Sequence, residues 1–334
     1  MVTIYDIAKA AGCSAMTVSR VINHTGRISD KTRKRVQTIM QEMQYVPNST
    51  ARSLVLQQTK LLSLLITDIT NPFYTTMARG AEDAARRLGY QLLFSNSDED
   101  ADKEKDNIHA VRGARVDGVI IAPVGDQSAG QLQQLQQHRI PFVLIDRDVP
   151  GIETDTVLGD SKEGARKLTE HLLELGHRRI AFLNGSLNTS TARQRLEGYK
   201  EALILAGIAY DEELVSEIGF KESNASEAMD KIAQLGTDRP TGIFAANNTI
   251  ALAAVRSLRD RGFSIPGDFS VVCFDDMASD YVIDPFLTVA AQPSYDFGAI
   301  AVELLVARIA GEREDTRRII LPSKLIVRGS SVSI

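Results

Sequence analysis

Clusters of planar hydrogen-bonding side chains recur along the chain, each just after a short apolar run: Asp68, Asn71, Phe73 and Tyr74; Asp146 and Arg147; Arg193 and Arg195; Asn247 and Asn248; Asp275 and Asp276; and Gln292. Carboxylates, guanidinium groups and amides each bridge neighbouring hydroxyls, and an aromatic face accepts the apolar C–H face of a sugar-like ring. Gathered in one place, such a set binds a polyol. Taken singly the residues have plainer roles: Asn248 and Asp276 as helix caps, Asp146 and Arg147 as a surface pair, Phe73 and Tyr74 as core aromatics. Asp275 and Asp276 can also be read as an acid–base pair, but adjacent carboxylates leaving a strand point apart. No opposed carboxylate, phosphate loop, metal-ligand spacing or nucleophile elbow accompanies them. No catalytic residue, metal or cofactor is expected.

A second chemistry lies at the N-terminus. Ile4, Ile7, Ala8 and Ala11 recur at helical spacing, and Gly12 stops that helix by accepting a left-handed exit. Ser14 then caps a second helix whose Val18, Val21 and Ile22 turn inward, leaving Ala15, Met16, Thr17 and Arg20 near its outward N-terminal side. That is the end a recognition helix offers to base edges in a major groove. Arg20 and Met16 are expected to read bases, with Thr17 and Ser19 near phosphates. Ser29 caps a third helix with Val36, Ile39, Met40 and Met43 as its inner face. The following Pro47–Leu54 stretch is too short and polar for a stable isolated helix. Ordered beside DNA, it would place Leu54 as an apolar wedge in the minor groove.

The elements that must position the polar clusters begin at Leu61. Apolar runs at 61–66, 91–94, 116–122, 142–145, 180–183, 242–246 and 271–274 alternate with helical stretches such as 73–88 and 163–175. This alternation predicts mostly parallel sheets with helices on both faces, and so many units fit two doubly wound subdomains. Ligands bind at the carboxyl ends of such strands, which is where every polar cluster falls.

Composition agrees with this division. The 334 residues carry a net charge of −5, yet residues 1–60 hold nine Lys and Arg against three Asp and Glu, a net of +6, leaving −11 for the remainder. A basic head on an acidic body confines phosphate attraction to one end. Cys13 and Cys273 are far apart without metal or disulfide spacing, and both read as buried apolar residues. No apolar stretch approaches the roughly 20 residues of a membrane helix, and no export signal opens the chain. Cytoplasmic residence follows, and a free-standing sugar carrier is disfavoured.

Ile4 to Asn23, Tyr45-Val-Pro-Asn48 with Ala51 and Leu54, and the body together resemble the LacI/GalR family of bacterial repressors over essentially the whole chain. The resemblance implies a helix-turn-helix domain over 1–46, a hinge helix and linker over 47–60, and an effector-binding and dimerisation domain over 61–334. That domain is similar to type I periplasmic sugar-binding proteins, with one subdomain at about 61–160 and 291–318 and the other at 161–290 and 319–334. It implies DNA contacts from Thr3, Tyr5, Ser14, Ala15, Met16, Thr17, Ser19, Arg20, Asn23, Arg27, Asn48, Ala51 and Leu54. Within the family, the segments Asp68–Tyr74, Ala78–Asp83, Ser95–Asp98, Ile145–Arg147 and Ser190–Gly198 look most like ribose repressors. Position by position, this implies effector contacts from Asn71, Phe73, Tyr74, Asp146, Arg147, Arg195, Phe220, Asn247, Asp275 and Gln292. The implied partners are a small sugar, a pseudo-palindromic double-stranded operator and a second copy of the chain. A phosphosugar or non-sugar effector and a carbon regulator with a protein corepressor are the alternatives. Two positions depart from the family: Asn247-Asn248 replaces the common Asn-Asp, and Ala15-Met16 differs from the lactose and purine repressors. The chain ends at Ile334 without a leucine heptad tail, which predicts a dimer rather than a tetramer.

Overall fold

The computed structural model describes residues 2–23, 25–45, 58–219, 222–277, 284–312 and 315–334. Asn48, Ala51, Leu54 and Phe220 lie outside them, as does most of the expected hinge segment. The chain divides into two compact units, Met1–Thr59 and Lys60–Ile334.

The first unit contains α1 (Ile4–Ala11), α2 (Ala15–Ile22) and α3 (Asp30–Glu42). Thr3 and Asp6 form a capping box: the Thr3 hydroxyl accepts from the Asp6 N–H, and the Asp6 carboxylate accepts from the Thr3 N–H at 2.8 Å. Gly12 ends α1 at φ +60°, while Ser14 and Ser29 cap α2 and α3 by accepting from the N–H groups of Thr17 and Thr32. Ile7, Ala8, Ala11, Val18, Val21 and Val36 form the core. Ile22, Ile39, Met40 and Met43 are only partly buried at its edge, because three short helices cannot enclose every apolar side chain. Cys13 is half-buried there rather than enclosed, whereas Cys273 is buried in the body.

The second unit holds two six-stranded sheets. In the first, β1 (Leu61–Ile66), β2 (Gln91–Asn96), β3 (Gly118–Ile121), β4 (Phe142–Asp146), β5 (Asp155–Gly159) and β11 (Arg318–Leu321) run parallel in the order β11-β5-β4-β3-β1-β2. In the second, β6 (Ile180–Asn184), β7 (Val215–Glu217), β8 (Gly242–Ala245), β9 (Ser270–Phe274), β10 (Thr288–Ala291) and β12 (Lys324–Ile326) take the order β12-β10-β9-β8-β6-β7, with only β12 antiparallel. The largely apolar β1, broken only by Ser63, reflects its burial on both faces. The helices are α4 (Pro72–Arg87), α5 (Ala101–Ala114), α6 (Ala129–Gln137), α7 (Ser161–Glu174), α8 (Ser190–Leu205), α9 (Glu222–Gln234), α10 (Asn248–Asp260) and α11 (Ser294–Ile309).

The chain passes between the sheets three times: after β5, after β10, and between β11 and β12. The last passage corrects the expected boundary at 318. Arg318–Leu321 pairs with β5, so the first subdomain extends through Leu321.

Glycines let α4 and α11 approach closely at two places. A Cβ on Gly298 of α11 would lie 2.0 Å from the Met77 carbonyl oxygen of α4, and one on Gly80 would lie 2.0 Å from the Tyr295 carbonyl oxygen. Gly298→Ala is therefore expected to destabilise the fold by about 2–3 kcal/mol. Urea denaturation checks this, and an unchanged midpoint would mean the helices separate there without cost.

Candidate functional site

The carboxyl ends of both sheets and the N-termini of α4, α8 and α10 converge on a cavity of about 30 Å³ in the second unit. Its lining includes Asn71, Phe73, Tyr74, Asp146, Arg147, Arg195, Asn247 and Asp275, joined by Asp68, Glu99 and Thr191. Gln292 stands immediately behind, donating from Nε2 to Asp275 Oδ1 at 2.6 Å. Side chains separated by more than 200 residues thus meet because every β–α connection exits at the same edge.

The two sheets contribute similar corners. Asp146 ends β4 at φ +65° and Asp275 follows β9 at φ +66°, a left-handed conformation uncommon for residues other than glycine. Backbone strain of this kind concentrates at functional sites. Asp146 Oδ2 accepts the Tyr74 hydroxyl at 2.8 Å, and burial pushes the Tyr74 phenol well above its ordinary value. Burial also pushes the Asp275 carboxyl up to about 6, opposed by the Arg195 guanidinium and the Gln292 hydrogen bond. Gly159, at the end of β5, makes room for Gln292: a Cβ there would fall 1.7 Å from Gln292 Oε1.

The two cleft arginines differ. Arg195 lies over the Phe274 ring at 4.0 Å, donates from Nη1 to the Ala246 carbonyl at 2.6 Å, and sits 4.0 Å from Asp275 Oδ2. Its buried Nε has no hydrogen-bond partner among the described residues, so a donor remains at the cavity. Arg147 is engaged: Nη1 and Nη2 donate to Glu99 at 2.8 and 2.6 Å, and Nη1 also reaches the carbonyls of Pro123 and Val124. The plainer alternative, Asp146 and Arg147 as a surface pair, does not hold: both residues are buried, and although Arg147 Nε lies 3.5 Å from Asp146 Oδ2, the carboxylate on its terminal nitrogens is Glu99. Sequence reasoning missed Glu99. The signal was an arginine leaving a fully apolar strand, whose buried charge demands a carboxylate from elsewhere.

Other assignments are also revised. Asn247, not Asn248, caps α10 by accepting from Ile250 N–H at 2.8 Å, while Asn248 Nδ2 donates across the subdomains to Asn71 Oδ1 at 3.2 Å. Asp276 turns from Asp275 and pairs with Arg328 at 2.7 and 2.6 Å. Arg193 stands at the rim, paired with Asp126 at 2.8 and 3.1 Å. There the Asp126 N–H also donates to the Asn188 carbonyl at 2.9 Å, and the Asp148 N–H donates to Ser190 Oγ at 3.1 Å. Phe73 packs edge-on against Phe297, so it serves core and cleft together.

In the first unit, Tyr5 and Met16 are 74% and 65% exposed, unusual for large apolar side chains, and Arg20 and Arg27 are exposed. Thr17 and Ser19 are half-buried, and Asn23 Nδ2 donates to Ser19 Oγ at 3.3 Å. Ala15, expected to face outward, packs partly against the core. The hydroxyls of Thr3 and Ser14 are occupied in their caps. Among the described residues no helix is long and apolar enough to cross a membrane.

Comparison with known proteins agrees with this two-part construction. Residues 3–48 match the model of bacterial regulatory proteins of the lacI family, and residues 169–331 match a periplasmic binding protein-like domain. The HTH-type transcriptional regulator DegA of Bacillus subtilis (strain 168) is 38% identical over 98% of both chains. The ribose operon repressor of Halalkalibacterium halodurans is 36% identical, covering 98% of this chain and 96% of its own. A crystal structure of the lac repressor dimer bound to operator and the anti-inducer ONPF aligns over 99% of both chains, with a TM-score of 0.85 and 29% identity. A capped three-helix head followed by two parallel sheets around one polar cleft, with relatives spanning its whole length, makes this chain a member of the LacI family of bacterial regulatory proteins.

Proposed function

We propose that the protein is a sequence-specific transcriptional repressor whose operator affinity is set by a small sugar, ribose or a similar pentose or hexose, held between the two sheets. The observation that carries this reading is the cleft itself: Asp146 and Asp275 from opposite subdomains, with Arg195, Asn247 and two aromatic rings, enclose one small polar cavity. Such groups match vicinal hydroxyls on a ring with an apolar face. DNA contacts come from Arg20 and Met16 toward bases, with Thr17 and Ser19 toward phosphates. The effector acts by linkage: it changes the relation of the two subdomains, and DNA affinity changes with it. A homodimer on a pseudo-palindrome fits the lac repressor dimer on its operator. The open edge of β2, where Leu93 and Phe94 are each 40% exposed, supplies an apolar surface for a second copy. The protein would act in the cytoplasm, on the nucleoid when bound.

Titration of D-ribose, other pentoses and phosphorylated hexoses against binding to DNA from upstream of the protein's own gene tests this. A neutral pentose or hexose is expected to shift operator affinity by about 5- to 150-fold. Unchanged affinity across the series would overturn the sugar effector, and loss of the first sixty residues without loss of promoter binding would overturn the DNA-reading head.

A further inference from the structure

We infer that Glu99 sets the charge selectivity of the cleft: by pairing with both terminal nitrogens of Arg147 it leaves no uncompensated cation for an anionic effector, so the site takes an uncharged polyol and refuses its phosphorylated analogue. This rests on the sugar-effector reading and adds to it a residue and a ligand charge. Among the described residues, the cations at the cavity are Arg147 and Arg195. Arg147 is almost fully buried and gives both terminal nitrogens to Glu99, which is itself mostly covered. Arg195 faces Asp275, and its terminal Nη1 is held by a backbone carbonyl. Each cation therefore already has a carboxylate.

Helix N-termini are the other source of anion donors, and three of them meet here. Each already gives one N–H to its own cap: Asn71 accepts from the Phe73 N–H, Thr189 from the Ala192 N–H and Asn247 from the Ile250 N–H. A phosphate entering this cavity would meet Asp146, Glu99 and Asp275, three carboxylates that outnumber the two guanidinium groups already paired with them. Hydroxyls meet no such penalty, since the carboxylates accept from them and Arg195 Nε remains to donate. Glu99 acts through Arg147 and is a positioning residue. Its backbone is held at φ +56° beside Asp98 at φ +54°, which turns the chain after β2 so that its carboxylate reaches Arg147.

The test measures full-length wild type, Glu99→Gln and Glu99→Gln/Arg147→Met by calorimetry and thermal shift, with D-ribose, D-ribose 5-phosphate and inorganic phosphate. Wild type is expected to bind ribose at least about tenfold more tightly than ribose 5-phosphate and to show no stabilisation by phosphate. Glu99→Gln exposes the Arg147 charge, so the ratio should narrow about tenfold and phosphate should now stabilise the protein. The double variant removes cation and anion together and should lose the phosphate response while remaining folded. A purely structural role for Glu99 would weaken both sugars equally. Binding of ribose 5-phosphate by wild type as tight as that of ribose, stabilisation of wild type by inorganic phosphate, or a folded Glu99→Gln indifferent to both phosphates, overturns the proposal. If Glu99→Gln does not fold, the wild-type responses decide alone. Should wild type bind no sugar, the sugar reading fails, and the phosphate responses of wild type and variant still decide the role of Glu99.

Discussion

Asp275→Asn is expected to make the protein more stable at neutral pH while silencing it toward its effector. Desolvation in the cleft raises the Asp275 carboxyl to about 6 even with Arg195 and Gln292 favouring its charged form. In the unfolded chain the same group titrates near its ordinary value of 3.8. Between these values the folded state holds a proton that the unfolded chain has released. The stabilising contribution is therefore complete below about pH 4 and disappears as pH rises through 6, an amount on the order of 3 kcal/mol by pH 7. Asparagine keeps the shape and an acceptor for Gln292 but has no charge to desolvate. Its variant should lack this slope and exceed wild type above pH 6 by a comparable amount. The same change removes a charge-assisted acceptor for hydroxyls and should weaken sugar binding roughly a hundredfold. Urea denaturation from pH 4 to 8, with operator binding at saturating ribose, checks both halves. A variant less stable than wild type at pH 7.5 would mean that the Asp275 charge supports the fold through Arg195.

Arg20→Ala carries the other large expectation. Arg20 is exposed on α2, a helix fixed by the Ser14 cap and by burial of Val18 and Val21. A guanidinium so placed can donate two parallel hydrogen bonds to a base edge, worth about 1–3 kcal/mol of discrimination. The variant should lose roughly tenfold to a hundredfold in affinity for the promoter of its own gene, and much less for a random duplex at the same salt concentration. Fluorescence anisotropy with both duplexes measures this. Equal losses would assign Arg20 to the phosphate backbone instead.

Much of this construction can be read from the chain. Largely apolar runs such as those at 61–66 and 142–145 announce buried parallel strands, and the caps at Ser14 and Ser29 follow from local hydrogen bonding. The short strands were not legible. β7 and β12 have three residues each, and β5 opens with Asp155, whose carboxylate is held by Arg308 at 2.7 Å. Such segments become strands because an adjacent sheet edge supplies hydrogen-bond partners, a tertiary cause with no local signature. The same distinction runs through the cleft. Residues at strand ends were found because topology fixes where strands end, whereas Glu99 lies a turn beyond β2 and reaches Arg147 only through its left-handed backbone. Arg193 and Asp276 share the position and chemistry of the cleft residues, but side-chain direction sends them to Asp126 and Arg328.

The rim bonds joining Arg193 to Asp126, Asp126 to Asn188 and Asp148 to Ser190 have a consequence for timing. They tie the two subdomains together beside a cavity of about 30 Å³, space on the scale of one or two waters, whereas a monosaccharide is several times bulkier. A sugar then fits only when the two subdomains move apart, which stretches these bonds on entry and again on departure. The speed with which such a regulator registers a nutrient, and the delay before it forgets one, is then governed by how often these few bonds break, independently of how tightly the occupant is gripped at equilibrium.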